Sequence, residues 1–348
     1  MNYFIYSNKK ADAIVENYFE ELIRIIKNSE YSTEISIILT GSLSRGEGSW
    51  TVIDETLELI SDIEYVVVIE DSNNSMEIHQ MIEDYNETAI SVSNPFFHID
   101  FSVVPKRHLK KLEKKLFIFE TKVNGRVIYG EEDITSLLPT VTINNINFSD
   151  VFDIFNHRMF SIIYYGIDKK VSDSLSSDQI MRYIIARNGL DLLTIYLISK
   201  GRLESGFENR LELFNSINER ISIEEENFHK FQNLCYSIKA WGNNEYEDIE
   251  VNYLLTEFLR FTSLCLKDYR MFKVSNTTHN ILHNSRRLAG RIKRAIICRT
   301  IPISRKVYLE ELYAAIEADN LTKNKLNKLK LYNYILYGYP SYSTKGID

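Results

Sequence analysis

The sequence predicts an α+β N-terminal domain, a mixed β-sheet with flanking helices over residues 1–145, followed by an all-α domain over residues 146–348. Three observations carry that prediction. β-rich runs at 34–39, 63–68 and 97–104 alternate with helix-patterned segments in the first part of the chain. From Ser149-Asp150 onward apolar residues recur at helical spacing, and no proline falls between Pro139 and Pro302. At 348 residues the chain also exceeds the length that one hydrophobic core ordinarily serves.

Residues 11–28 place Ile14, Val15, Tyr18, Phe19, Leu22, Ile23 and Ile26 on one stripe, with Glu16, Glu20, Glu21 and Arg24 off it, which predicts an amphipathic helix covering the sheet. The strand after it stops at Gly41-Ser42. A second strand follows Ser61, and Ser75 is placed to cap a helix through about Glu87, because Met76, Ile78, Met81, Ile82 and Tyr85 fall near one face. Pro105 ends the third strand. Lys106–Lys115 then reads as a short, strongly basic helix, either a solvated face or a triphosphate contact, and residues 126–129 add a last strand before Gly130. Thr140–Phe148 reads as linker.

Candidate helices follow at 150–165, 177–199, 208–219, 223–240, 247–270, 279–298, 306–318 and 321–336. Gly201, directly after Lys200, marks a helix end, since glycine enters the left-handed conformation without penalty. In the 177–199 helix Arg182, Arg187 and Asp191 interrupt an apolar sequence and read as structural ion-pairing. His157 is assigned no role.

The chemistry-bearing residues lie in the first domain. Gly41 and Ser42 end a strand, where glycine lets backbone N–H groups approach an anion and serine adds a hydroxyl. Asp62 and Glu64 are separated by one residue, so on a strand both carboxylates project from one face while Ile63 and Tyr65 project from the other. Asp100, flanked by Ile99 and Phe101, can add a third oxygen from a neighbouring strand. Hard carboxylate oxygens suit Mg²⁺, which completes its shell with water and substrate phosphates. Each element alone has an ordinary reading, a common turn or a solvated strand face; their order is what points to a site.

That order, Thr40-Gly41-Ser42, then Asp62-Ile63-Glu64, then the lone Asp100, resembles the signature of the nucleotidyltransferases of the DNA polymerase β superfamily, in particular small bacterial members such as the aminoglycoside nucleotidyltransferases. The likeness covers roughly residues 35–140 and includes Gly125–Gly130. One departure is the run of nineteen residues, Leu43 to Ser61, between the Gly-Ser pair and the first carboxylate, longer than the family pattern and consistent with an insertion around Trp50–Asp54. The resemblance implies a Mg²⁺-dependent transfer of a nucleoside monophosphate from an NTP such as ATP, with two metal ions held by Asp62, Glu64 and Asp100. It also implies that Gly41 and Ser42 hold phosphates, with Arg45 three residues on in reach of them. The helical domain, through Arg187–Thr194 and Lys200–Arg202, resembles the substrate domains of such enzymes and favours a small molecule, sugar or lipid-linked sugar as acceptor. An RNA- or protein-modifying, toxin-like enzyme and a cyclic-nucleotide synthase are the alternatives, and a catalytically silent nucleotide-binding or antitoxin-like partner is the reading from another class; against it stands the presence of all three carboxylates.

Composition narrows the setting. With 44% apolar and 26% charged residues the chain has the make-up of a folded protein, and its net charge of −7 argues against indiscriminate nucleic-acid binding. Yet between Tyr269 and Leu309 there are ten Lys/Arg and no Asp/Glu, with Arg287, Arg291 and Arg294 on one helical face. The 286–306 segment is therefore a candidate contact for an anionic acceptor, a membrane surface or RNA, beside the plain reading of a solvated face. Cys235, Cys265 and Cys298 are spaced for neither a zinc cluster nor a disulfide framework and read as buried apolar residues. The first ten residues lack the order of a secretory signal, and a cytoplasmic location is the expectation.

Overall fold

The computed structural model describes residues 2–53, 55–70, 73–89, 97–146, 177–217, 223–240 and 249–267, with Val151, Ile154 and Arg158. The helices expected at 279–298, 306–318 and 321–336, the basic 286–306 segment, His157 and Cys298 lie outside the described residues.

A four-stranded mixed sheet organises the first part. In chain order it contains β1 (Ile35–Thr40), β4 (Ile63–Ile69), β5 (Ile99–Pro105) and β6 (Arg126–Tyr129), arranged β5-β4-β1-β6. β1 runs antiparallel to β4 and β6, while β4 and β5 are parallel. The parallel pair is joined through α3 (Ser75–Ala89), of which Ser75 is the first residue rather than the cap, since the Asn74 carbonyl already accepts the Ile78 N–H.

The strands' period-2 alternation sorts their side chains into two cores. Ile37, Leu39, Ile63, Tyr65 and Val67 face α1 (Lys9–Asn28) and α3, with Val15, Phe19, Leu22, Ile78 and Ile82 packed on them. The Asn8 side chain caps α1 by accepting the N–H groups of Lys10 and Ala11. Ile38, Val66 and Val68 face the other way, toward Ile118, Ile134 and Leu138.

Two segments depart from the sequence reading. Lys106–Lys115 is helical only in α4 (Lys106–Leu109), and Lys106 bridges Glu70 and Glu131, so its charge is spent on neighbouring strand ends. The longer helix is α5 (Leu116–Asn124), whose period is hidden because Phe117 and Val123 are exposed while Glu120 and Thr121 are buried; Ile118 packs into the sheet core and Leu116 into the helical core. Between Gly41 and Asp62 the chain forms the short α2 (Gly41–Ser44) and a separate antiparallel hairpin, β2 (Trp50–Ile53) with β3 (Thr56–Leu59), outside the main sheet.

The helical part comprises α6 (Ser177–Ser199), α7 (Phe207–Ser216), α8 (Ile223–Lys239) and α9 (Val251–Lys267). α6 is its axis, because Ile185, Leu190, Leu193 and Tyr196 pack on Phe228, Phe231, Phe258 and Phe261 from the surrounding helices. α6 ends as the Gly201 signal implies: Gly201 has φ +73°, its N–H bonds Ile198 O at 3.0 Å, and the Arg202 N–H bonds Leu197 O at 2.9 Å. Cys235 and Cys265 are buried and not joined by a disulfide. No helix of the described residues is long and apolar enough to cross a membrane.

Candidate active site

β1 delivers Gly41 to the sheet's end beside the start of β4. Gly41 has φ +69°, and a Cβ built on it would lie 2.2 Å from Glu64 Oε2, so the turn needs glycine both for its conformation and for the closeness of that carboxylate. Thr40 Oγ1 donates to the Glu64 carbonyl at 3.1 Å, tying the turn to β4.

Asp62 precedes β4 and Glu64 lies within it, on the face opposite Ile63 and Tyr65, as the alternation predicts. Asp62 is fixed by the His98 backbone N–H, which donates to its Oδ1 at 3.0 Å. Asp100 pairs in parallel register with Glu64. Residues in register share a face, so all three carboxylates open to the same side of the sheet. Asp100 is exposed, whereas Asp62 and Glu64 are largely enclosed.

Gly41, Ser42, Arg45, Asp62 and Glu64 line one cavity of about 240 Å³; Asp100 stands outside its wall. Burial raises the pKa of Asp62, against the opposing pull of Arg187 and His98, and the Asp100 charge raises it further. Burial also raises that of Glu64, reinforced by Asp62 and Asp100 and opposed by Arg187 and Arg45. Two carboxylates whose ionised forms are disfavoured in this way make a site that gains from a cation. Their hard oxygens fit a divalent ion. Among the described residues no group of three or more His, Cys, Asp or Glu side chains is placed to hold a metal ion.

The opposite wall comes from the helical part and was not legible as a site in the sequence. Arg187 Nη2 lies 3.7 Å from Asp62 Oδ2. Burial works to lower the Arg187 pKa, but Asp62, Tyr183, Asp191 and Glu64 outweigh it and the net shift is upward. Asp191, one turn along α6, is salt-bridged to Arg158, and Arg182 donates to the Ile249 carbonyl at 2.6 Å. The ion-pairing expected of this helix is therefore present for Asp191 and reaches across to the sheet for Arg187.

A charged cluster that lines the same cavity, Arg45, Glu120, Arg210 and Lys239 around Phe207, joins the two parts. Arg45 Nε donates to Glu47 Oε2 at 2.7 Å and its Nη1 lies 3.5 Å from Glu120, which also pairs with Arg210. Lys239, the last residue of α8, donates to the Glu47 carbonyl at 2.7 Å, and Ser49 Oγ donates to the Lys239 carbonyl at 2.6 Å. Arg45, Arg210 and Lys239 stand 5.7, 5.6 and 5.5 Å from the centroid of the Phe207 ring, whose π face favours cations. Burial brings the Lys239 pKa down to about 7, with Glu47 acting against the fall and Arg187 and Arg45 adding to it.

No family model matches the chain, and no curated protein matches it. Among solved structures, a spectinomycin adenyltransferase from Enterococcus faecialis, crystallised with ATP and spectinomycin, aligns at 15% identity over 71% of this chain and 98% of that chain, with a TM-score of 0.38. A likeness of that size carries no weight for either fold or activity here.

Proposed function

We propose that the chain is a Mg²⁺-dependent nucleotidyltransferase, moving a nucleoside monophosphate from an NTP to an acceptor hydroxyl or phosphate with release of pyrophosphate. The observation that carries this reading is the register pairing of Glu64 with Asp100, two residues from Asp62 and against the Gly41 turn, beside a cavity whose far wall bears Arg187. A turn that admits a backbone-close anion and three carboxylates on one face are what an NTP with divalent cations requires.

In this reading Asp62, Glu64 and Asp100 hold the metal. Divalent ions held there would stabilise charge on the attacking and leaving oxygens of an in-line displacement. Gly41 and Ser42 hold the phosphate chain. Arg45 is kept oriented at the cavity by Glu47 and Glu120, which limits it to a fixed contact rather than a mobile reach. The acceptor oxygen bonds the α-phosphorus as the bond to the bridging oxygen breaks, pyrophosphate leaves, and Asp100 takes the acceptor's proton. The acceptor class favoured is a small molecule, sugar or lipid-linked sugar, bound between the sheet and α6.

The test is incubation with each radiolabelled NTP, Mg²⁺ and a cell extract, followed by identification of whatever carries the label. Transfer that vanishes in Asp62→Ala supports the proposal. Label transfer that is unchanged in Asp62→Ala, or absent for every NTP and extract fraction, defeats it.

A further inference from the structure

Arg187 belongs to α6 yet serves the sheet's carboxylates. Its separation of 3.7 Å from Asp62 is an ion pair beyond hydrogen-bond range. A guanidinium carries five N–H donors, and among the described residues none of those of Arg187 makes a hydrogen bond. Asp191, the acidic group nearest along its own helix, is already engaged by Arg158. Arg187 is half-buried in the cavity wall, so its guanidinium faces Asp62 while its donors stay open to a partner in the cavity. It also lines the cavity proposed for the nucleotide.

We propose that Arg187 is a resident counter-cation: it pairs with Asp62 in the metal-free protein, competes with a divalent cation for that carboxylate, and on metal entry turns its donors to an anionic oxygen in the cavity. The inference rests on the nucleotidyl-transfer reading above. Its chemistry follows from charge. A divalent ion beside Asp62 would sit within a few ångströms of the guanidinium, and like charges at that spacing repel strongly at a site partly screened from water. The long side chain lets the guanidinium move while α6 stays packed, because its helix is anchored by Ile185, Leu190 and Leu193 in the helical core. Metal entry and anion capture are then linked: metal alone binds weakly, and an anion that accepts Arg187 helps the metal in.

The experiment measures binding of Mn²⁺ alone to the full chain by electron paramagnetic resonance, with no nucleotide present. The wild type is compared with Arg187→Gln, Arg187→Lys and Asp62→Asn. Arg187→Gln should bind Mn²⁺ about tenfold tighter than wild type, the scale of effect for removing one opposing charge, and Arg187→Lys, which keeps the charge, should stay close to wild type. Asp62→Asn should lose the site. Equal or weaker Mn²⁺ binding by Arg187→Gln, with the Asp62-dependent site still present in wild type, overturns the counter-cation role and leaves the functional reading standing. Absence of any Asp62-dependent Mn²⁺ site in wild type and in Arg187→Gln also overturns the counter-cation role, while the functional reading stands or falls by the label-transfer assay above. If Arg187→Gln lacks the wild-type circular dichroism spectrum, Arg187→Met, which keeps an apolar stem in the same place, is read by the same criteria.

Discussion

Glu47 binds the two parts of the molecule together: its Oε1 accepts the backbone N–H of Phe207, 160 residues along the chain, at the start of α7. The same carboxylate holds Arg45, and the residue's own carbonyl receives Lys239. Glu47→Ala should therefore leave an enclosed guanidinium and a helix-start N–H without their acceptor. The expected loss is about 3–5 kcal/mol, the usual cost of removing one partner of a buried charged pair, read as a shift in the urea unfolding midpoint. A loss under about 1 kcal/mol would mean that the contact behaves as a surface pair.

Lys239 should make stability depend on pH in a defined direction. Its pKa is about 7 in the folded protein and that of an ordinary lysine, 10.5, when unfolded, so between those values the unfolded chain binds more protons. Stability then rises with pH from about 7 upward, by at most about 1.4 kcal/mol per pH unit from this group. Comparison of wild type with Lys239→Met at pH 7, 8 and 9 isolates the effect: the wild-type slope should be the more positive. Parallel slopes would show that Lys239 keeps its proton when buried.

Gly41→Ala should disable the site locally. The substitution forces a left-handed backbone on an L-residue, costing about 1–2 kcal/mol, and sets a methyl against the Glu64 carboxylate, where 2.2 Å is far inside contact distance. Thermal unfolding and nucleotide transfer measured together should show a modest loss of stability with a near-complete loss of transfer. Retained transfer would separate Glu64 from the chemistry.

Asp100 offers the cleanest division between chemistry and folding. It is exposed, so Asp100→Ala should change stability by no more than about 0.5 kcal/mol while abolishing transfer. Its removal also takes away a negative charge that raises the Asp62 and Glu64 pKa values, so both carboxyl groups should titrate at lower pH in the variant. Carboxyl titration by NMR checks this second outcome.

NTP and Mg²⁺ together should raise the melting temperature by more than the two raise it separately, since ligands that share one site stabilise the folded state jointly by mass action. An equal shift with NTP in the presence of EDTA would argue against a shared site.

Local pattern determined the elements that need only their own residues. The stripe from Val15 to Ile26 gave α1, the alternation of Ile63 and Tyr65 against Asp62 and Glu64 gave both the strand and the facing of its carboxylates, and Gly201 gave the end of α6. α5 has no legible period, because Phe117 and Val123 are exposed while Glu120 and Thr121 are buried, and the basic run before it reads as a longer helix than it forms, with Lys106 used by strand-end glutamates distant in sequence. Tertiary structure alone decided which residues meet. The register of β4 with β5 set Asp100 beside Glu64, although a lone aspartate in an apolar strand carries no address for its partner. Arg187 reads as one more charge on a helix, and only the packing of α6 against the sheet brings it to Asp62, because contacts between segments depend on how whole cores fit together rather than on the sequence around either residue.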